Sequence, residues 1–358
     1  IWQKFEDFAA YGFNKSHAAC YAIIAYRTGY LKAHYPAAFM AALMNSDSGT
    51  IDRITIEVEE CRRLGIQVLP PDVNESFPGF AVVKETGNIR WGLTAVKNVG
   101  EEIAREIVRE RKVNGNFVDL ADFVTRISSS HFNRKSLEAL VCAGALDRFG
   151  DRSTLFANLD QLLLFNKQTQ KDLAQNQVSM FDLSPQMASD KLTLRPAPTL
   201  PRGTMLGWER ELLGIYVSSH PTDAFTERIV NYVSACTAGL TKDDESLITI
   251  CGVIMEVKKI LTKKKQEPMA FVRLEDRSGQ AELVVFPKLF TKIGSSLEVG
   301  QMMLVAGKVS VRERDGGDQV DRAILVDKVI PFGDSDVESL VDMLVKGTWY
   351  EDGFSDSK

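Results

Sequence analysis

Apolar residues along this chain keep one rhythm up to about residue 247 and a different one beyond it. In the first stretch Ala18, Ala19, Ala22, Ala25, Leu31, Phe39, Ala42 and Leu43 recur at helical spacings, with a break at Pro36. Small and apolar residues are dense enough there to predict burial on several faces. A further helix over 51–64 ends at Gly65, and Pro70-Pro71 forces an extended connection. Residues 89–147 predict several short helices joined by turns containing Gly and Asn, and another helix comes near 151–170. The tract 168–202 is rich in Gln, Ser and Pro and reads as a linker. Short helices are predicted over 208–215 and 222–233, on either side of His220-Pro221.

After 247 the period changes to two. β-branched and apolar residues alternate over 247–257, 269–275, 280–286, 301–311 and 322–330, with turns such as Asp276-Arg277-Ser278-Gly279 between them. A short helical insert, 287–293, lies between the third and fourth of these strands. Five strands with an insert in that place match the order of an OB-fold barrel. The fold class is therefore multidomain, an all-α N-terminal part followed by a β-barrel. The last stretch, 334–358, is acidic and reads as a tail or the start of a further domain.

Composition narrows this picture without redirecting it. The chain has 358 residues, 44% hydrophobic and 25% charged, enough for two to four units with their own cores. Its five cysteines are odd in number, far apart and without a Cys-x-x-Cys pair, which argues against a zinc site or disulfide framework and fits a reducing cytoplasm. No stretch has the length of a membrane span, so no membrane partner is expected. The chain begins at Ile1, which suggests a fragment or a processed chain. A net charge of −5 does not advertise nucleic-acid binding, so any contact with phosphate must come from local clusters.

Four such places stand out. In Tyr11-Gly12-Phe13-Asn14-Lys15-Ser16-His17, Asn14 or Ser16 can cap the following helix, leaving amides for an anion to which Lys15 and His17 add charge. An ordinary capped helix explains the same residues. Gly92-Leu93-Thr94-Ala95-Val96-Lys97-Asn98-Val99-Gly100-Glu101-Glu102-Ile103-Ala104 has the layout of a helix-hairpin-helix. The helix after its turn would aim free amides at a phosphate, with Asn98 tolerating a left-handed backbone and Ala104 permitting close packing. Lys97, Asn98, Val99 and Gly100 are the candidate contacts to duplex DNA. A weaker second copy runs from Asn133 through Arg134 and Lys135 to Ala143-Gly144-Ala145. An ordinary pair of antiparallel helices is the plain alternative for both copies.

In the polar tract, Gln177-Val178-Ser179-Met180-Phe181-Asp182 offers two large apolar side chains, with Gln177 to fix their register. A linker folding Met180 and Phe181 onto its own domain is the plain alternative. Finally, Lys258, Lys259, Lys263, Lys264 and Lys265 crowd the connection between the first two strands, with Phe271 or Phe286 available to stack on bases.

The run from Phe8 to Tyr21, together with Tyr30-Leu31-Lys32-Ala33-His34-Tyr35-Pro36, Phe39-Met40-Ala41-Ala42-Leu43 and Pro70-Pro71-Asp72-Val73-Asn74, resembles the fingers segment of bacterial C-family DNA polymerases, the DNA polymerase III alpha subunits. Cys20 stands where that family usually has a small residue. Glu211-Leu212-Leu213-Gly214 and Ser218-Ser219-His220-Pro221 resemble the family's connector to its OB-fold. The resemblance implies that Asn14, Lys15, Ser16, His17 and Tyr21 lie on the incoming-nucleotide side of the fingers. It implies a division into fingers (1–85), helix-hairpin-helix (86–165), linker with a clamp-binding peptide (166–205), connector (206–240), OB-fold (241–333) and acidic end (334–358).

The implied partners are duplex primer-template, single-stranded template, the sliding clamp through Gln177, Met180 and Phe181, and other subunits of the polymerase III holoenzyme, a 3'-5' exonuclease among them. The parent enzyme would use Mg and deoxynucleoside triphosphates in two-metal nucleotidyl transfer. This stretch shows no palm Asp-x-Asp cluster before its fingers segment, so by itself it is expected to bind no cofactor and not to polymerise. A free-standing DNA-binding accessory protein and an RNA-binding OB-fold protein are the alternatives. Within the polymerase reading, the clamp-like peptide favours the main replicase over a damage-tolerant paralogue.

Overall fold

The computed structural model describes residues 15–127, 132–174, 192–224, 232–237, 247–262, 265–313, 320–332 and 350–351. Two compact units are present. One comprises Ile1–Thr199 with Glu209–Val217, the other Leu200–Trp208 with Ser218–Lys358.

The first unit opens with α1 (Lys15–His34), broken by Tyr35 before α2 (Pro36–Ser46), whose Pro36 occupies the first turn where a missing N–H costs nothing. No side chain of α1 is buried. The expected burial on several faces is therefore not met, because α1 packs chiefly on α2 and leaves Tyr21, Ile24, Tyr26, Tyr30 and Leu31 exposed. Next comes α3 (Ile51–Arg63), with Lys32 of α1 bridging to its Glu60 at 2.7 Å.

A small sheet connects these three helices to the rest of the unit, and the all-helical expectation did not include it. β1 (Val68–Leu69), β2 (Ala81–Val82) and β3 (Ile89–Arg90) lie in the order β1-β3-β2, with β3 parallel to β1 and antiparallel to β2. Strands of two residues carry too little alternation to be seen in a sequence.

The remainder of the first unit is helical: a 3₁₀ turn Leu93–Ala95, α4 (Glu101–Asn114), α5 (Leu120–Arg126), α6 (Arg134–Cys142), α7 (Arg152–Ala157) and α8 (Leu159–Ala174). α8 extends into the tract expected to be linker. α5 is capped by Asp119 and α7 by Asp151, each accepting from the third amide of its helix. The core gathers Trp91, Leu93, Ile107, Phe123, Ile127, Leu137, Leu140 and Leu146, all fully enclosed.

Three asparagines hold the irregular segments to this core in the same way. Each side chain donates to the carbonyl and accepts from the amide of one distant residue, imitating a neighbouring strand. Asn45 does this to Phe80 at 2.8 and 2.7 Å. Asn74 does it to Phe117 at 2.8 Å both ways. Asn158 does it to Arg195 at 2.8 and 2.9 Å, and Gln161 adds a bond to the Thr193 carbonyl. Such pairing satisfies backbone groups that would otherwise be buried without partners.

α9 (Arg202–Leu213) ends at Gly214, whose φ of +82° is a left-handed helix stop.

The second unit is a closed barrel. β4 (Leu247–Leu261), β5 (Pro268–Asp276) and β6 (Gly279–Val285) form an antiparallel meander, and α10 (Pro287–Ile293) precedes β7 (Met302–Glu313) and β8 (Val320–Phe332). β7 pairs with both β4 and β8, and β8 closes the barrel by running parallel to β6 through Leu283 and Ile324. β9 (Tyr350–Glu351) adds a short pairing to β8. Ile250, Ile254, Val272, Leu274, Leu283, Ile324 and Val326 fill the interior, and Leu289 and Ile293 of α10 join the same core. Two flanking stretches are tied to the β5–β6 turn: Asp223 pairs with Arg277, and the Asp276 carboxylate accepts the Thr237 amide at 2.8 Å and its hydroxyl at 2.6 Å.

Candidate nucleic-acid interface

The first hairpin takes the shape expected of it. Leu93–Ala95 forms the short first helix, and Asn98 adopts φ +72°, a left-handed conformation that Asn tolerates better than most residues. Gly100 then starts α4 with no side-chain cap, and no atom lies within 4 Å of where its Cβ would be. An open helix start of this kind is suited to an anion. Glu101 and Glu102 occupy the first turn and oppose such binding, while Arg105 neutralises Glu101 at 2.5 Å. The Lys97 amide donates to the Leu212 carbonyl of α9 at 2.9 Å, so the turn is braced from outside the hairpin.

The second hairpin is different. Asn133 and Ser136 form a reciprocal capping box at the start of α6, and Arg134 pairs with Asp160 of α8 while Lys135 is exposed. Its turn, at Gly144 with φ +84°, is filled by the guanidinium of Arg152, which leaves no room for a Cβ. Arg152 donates to Asp147 through Nε at 2.8 Å and Nη2 at 2.7 Å, and to buried Glu209 through Nη1 at 2.8 Å. Burial works against its charge, but the bonds and attraction from Asp147 and Glu209 outweigh that and hold it firmly protonated. The space a phosphate would need is occupied by this cation. Sequence reading missed the arrangement because Arg152 and Glu209 lie far apart in the chain.

On the barrel, pairing of β4 with β5 continues to Leu261 opposite Pro268. Lys258 and Lys259 therefore stand on a strand, not in the connecting loop where the lysine cluster was expected. Lys258 is directly across from Phe271, and the next outward pair along the hairpin, Glu256 and Arg273, is joined at 3.4 Å. Phe271 is half-buried on this face and Phe286 precedes α10. The turn itself holds Lys265 and is closed by Thr262, whose amide donates to the Glu267 carbonyl at 2.9 Å. Lys263 and Lys264 lie outside the described residues.

Of the fingers candidates, Lys15, Ser16, His17 and Tyr21 sit on the exposed first turns of α1, with the His17 and Tyr21 rings 4.5 Å apart. Asn14 lies outside the described residues, as do Gln177, Met180 and Phe181. Among the described residues no group of three or more His, Cys, Asp or Glu side chains is arranged to hold a metal ion. Nor is any described helix long and apolar enough to cross a membrane.

A hairpin with an open helix start and a closed five-stranded barrel define a protein that carries a helix-hairpin-helix module and an OB-fold module of the nucleic-acid-binding class. The helix-hairpin-helix motif family matches residues 65–155, and the OB-fold nucleic acid binding domain family matches 248–332. Over most of its length the chain is similar to DNA polymerase III alpha subunits. It is 36% identical over 323 residues to that subunit of Vibrio cholerae, covering 88% of this chain and 27% of the relative. To the Thermus aquaticus subunit it is 39% identical over 319 residues, 87% of this chain and 25% of the relative. To that of Escherichia coli it is 35% identical over 321 residues, 88% and 28%. It thus spans about a quarter of the length of the relatives it matches.

Proposed function

We infer that this chain supplies the DNA grip of a replicative DNA polymerase, its parent carrying out template-directed DNA synthesis with magnesium and deoxynucleoside triphosphates in the cytoplasm. The first hairpin holds the duplex backbone without reading sequence, through the amides around Asn98, Val99 and Gly100 and the charge of Lys97. The barrel binds the single-stranded template along the Lys258–Phe271 face. Gln177, Met180 and Phe181 take the sliding clamp, and Asn14, Lys15, Ser16, His17 and Tyr21 face the incoming nucleotide. Arg134 and Lys135 serve the duplex only as peripheral charge. The six-part division from fingers to acidic end is kept on the same reading.

The observation that carries this is Asn98 at φ +72° leading into an uncapped, unobstructed Gly100. The exposed apolar length of α1 also supports a place within a larger polymerase body, since apolar surface of that extent marks an interface. Relatives that are polymerase subunits favour this reading over a free-standing accessory protein or an RNA-binding one. The test is duplex binding by Gly100→Glu, which fits sterically but sets a carboxylate where the phosphate would lie. Affinity should fall by about tenfold or more, and unchanged affinity would overturn the hairpin assignment.

A further inference from the structure

Glu209 is 1% exposed, the most enclosed of the buried acidic side chains described. It sits on α9, three residues before Leu212, the residue whose carbonyl accepts the Lys97 amide. Its carboxylate oxygens accept from Arg152 Nη1 at 2.8 Å and from the Val217 amide at 3.2 Å. Arg152 is in turn pinned over Gly144 by Asp147. The end of α9 is thus held at one point by the second hairpin and touches the first hairpin at another, one helical turn along. A Cβ at Gly214 would lie 2.5 Å from Ile51 Cγ2, so the helix stop packs closely against the start of α3.

On the reading that the first hairpin binds duplex DNA, we propose that the Arg152–Glu209 pair is the positioning element of that grip. It fixes α9 so that the Leu212 carbonyl sets the Lys97 amide and, through it, the turn leading to Gly100. The turn of the second hairpin then serves the duplex without contacting it. It has exchanged a phosphate for a guanidinium, and the guanidinium orients the turn that does make contact. This assigns a role to a buried ion pair whose members touch no DNA. It also gives the glycine of the weaker copy a use, since Gly144 makes the room in which the guanidinium lies.

The test measures duplex and single-strand binding by the whole chain, together with amide exchange at Lys97. Glu209→Ala should weaken duplex binding about tenfold, speed exchange at Lys97 and leave single-strand affinity unchanged. Glu209→Gln keeps an acceptor for Arg152 and should recover duplex affinity to within about threefold of the parent. Should Glu209→Ala fail to fold, Arg152→Lys replaces it. That variant keeps the charge but loses the planar fork, and the same duplex-specific loss is expected. Gly100→Glu, run alongside, separates the two ideas. If Gly100→Glu weakens duplex binding while Glu209→Ala and Arg152→Lys do not, the positioning role is overturned and the hairpin reading stands. If none of the three changes it, the hairpin reading fails and the proposal with it.

Discussion

Asn74 and Phe117 hold each other through two hydrogen bonds of 2.8 Å, the side chain of one reading both backbone groups of the other across the core of the first unit. Asn74 is almost fully enclosed, so neither water nor another side chain can take its place. Asn74→Ala would orphan a buried amide and a buried carbonyl. Each orphan costs about 1–3 kcal/mol, so with two of them the first unit should lose roughly 2–6 kcal/mol. Asn74→Asp should be worse, because a carboxylate can accept from the Phe117 amide but repels its carbonyl. Urea unfolding followed in the first unit checks both; losses below about 0.5 kcal/mol would mean the segment holds without this pair.

Glu57 gives the same unit a pH dependence. Burial, then a hydrogen bond and repulsion from Asp47, push its carboxyl up to about 7 from the ordinary 4.5, against a smaller opposing pull from Arg53. A carboxyl that holds its proton more tightly when folded favours the fold at acid pH. That contribution is full below about 4.5, declines as pH rises and is gone above about 7. The ceiling is about 3 kcal/mol, at about 1.4 kcal/mol per pH unit of separation. Stability measured from pH 4.5 to 8 should fall in that window, whereas Glu57→Gln should stay flat through it. A parent profile as flat as that of Glu57→Gln would remove Glu57 as the cause.

The single-strand face proposed for the barrel predicts two separable losses. Replacing Lys258, Lys259 and Lys265 with Ser should reduce the slope of log affinity against log salt by about 2, since each phosphate contact on a single strand contributes about 0.7. Phe271→Ala should leave the slope alone and weaken binding at every salt concentration by about 1–3 kcal/mol, the worth of one stacked base. Titrations of an oligothymidine at several salt concentrations distinguish the two. An unchanged slope in the lysine variant would direct the search to another face.

Met180→Ala with Phe181→Ala should abolish capture of the chain by the sliding clamp and leave oligonucleotide binding as it was. A pull-down at matched concentrations reads this directly. Capture that survives both replacements would assign the clamp contact elsewhere.

The parts legible in the sequence are those set by near neighbours in the chain. Alternation over 247–330 foretold the five barrel strands because one face of each is buried, and the short insert before β7 appeared as α10. The left-handed turn at Asn98 was legible for the same reason: its residue type alone permits that backbone. The end of β4 was not, since Lys258 and Lys259 carry a polar pattern that reads as loop until β5 is seen opposite them. Nothing near Arg152 points to Glu209, and nothing near Asn74, Asn45 or Asn158 announces the backbone groups each will hold. Those pairings are products of the folded path, and they decide which hairpin is open and which is filled.

The bonds between Asn158 and Arg195 have a consequence for reach. Ala174 ends α8 and Arg195 is bound back to Asn158 at the start of α8, so the described residues on either side of 175–191 are held on one body. A doubly anchored span of that length can carry its middle no farther than roughly 30 Å from its anchors. A partner that took Met180 and Phe181, as proposed above, would then be leashed to the helical unit at a distance set by the length of that span.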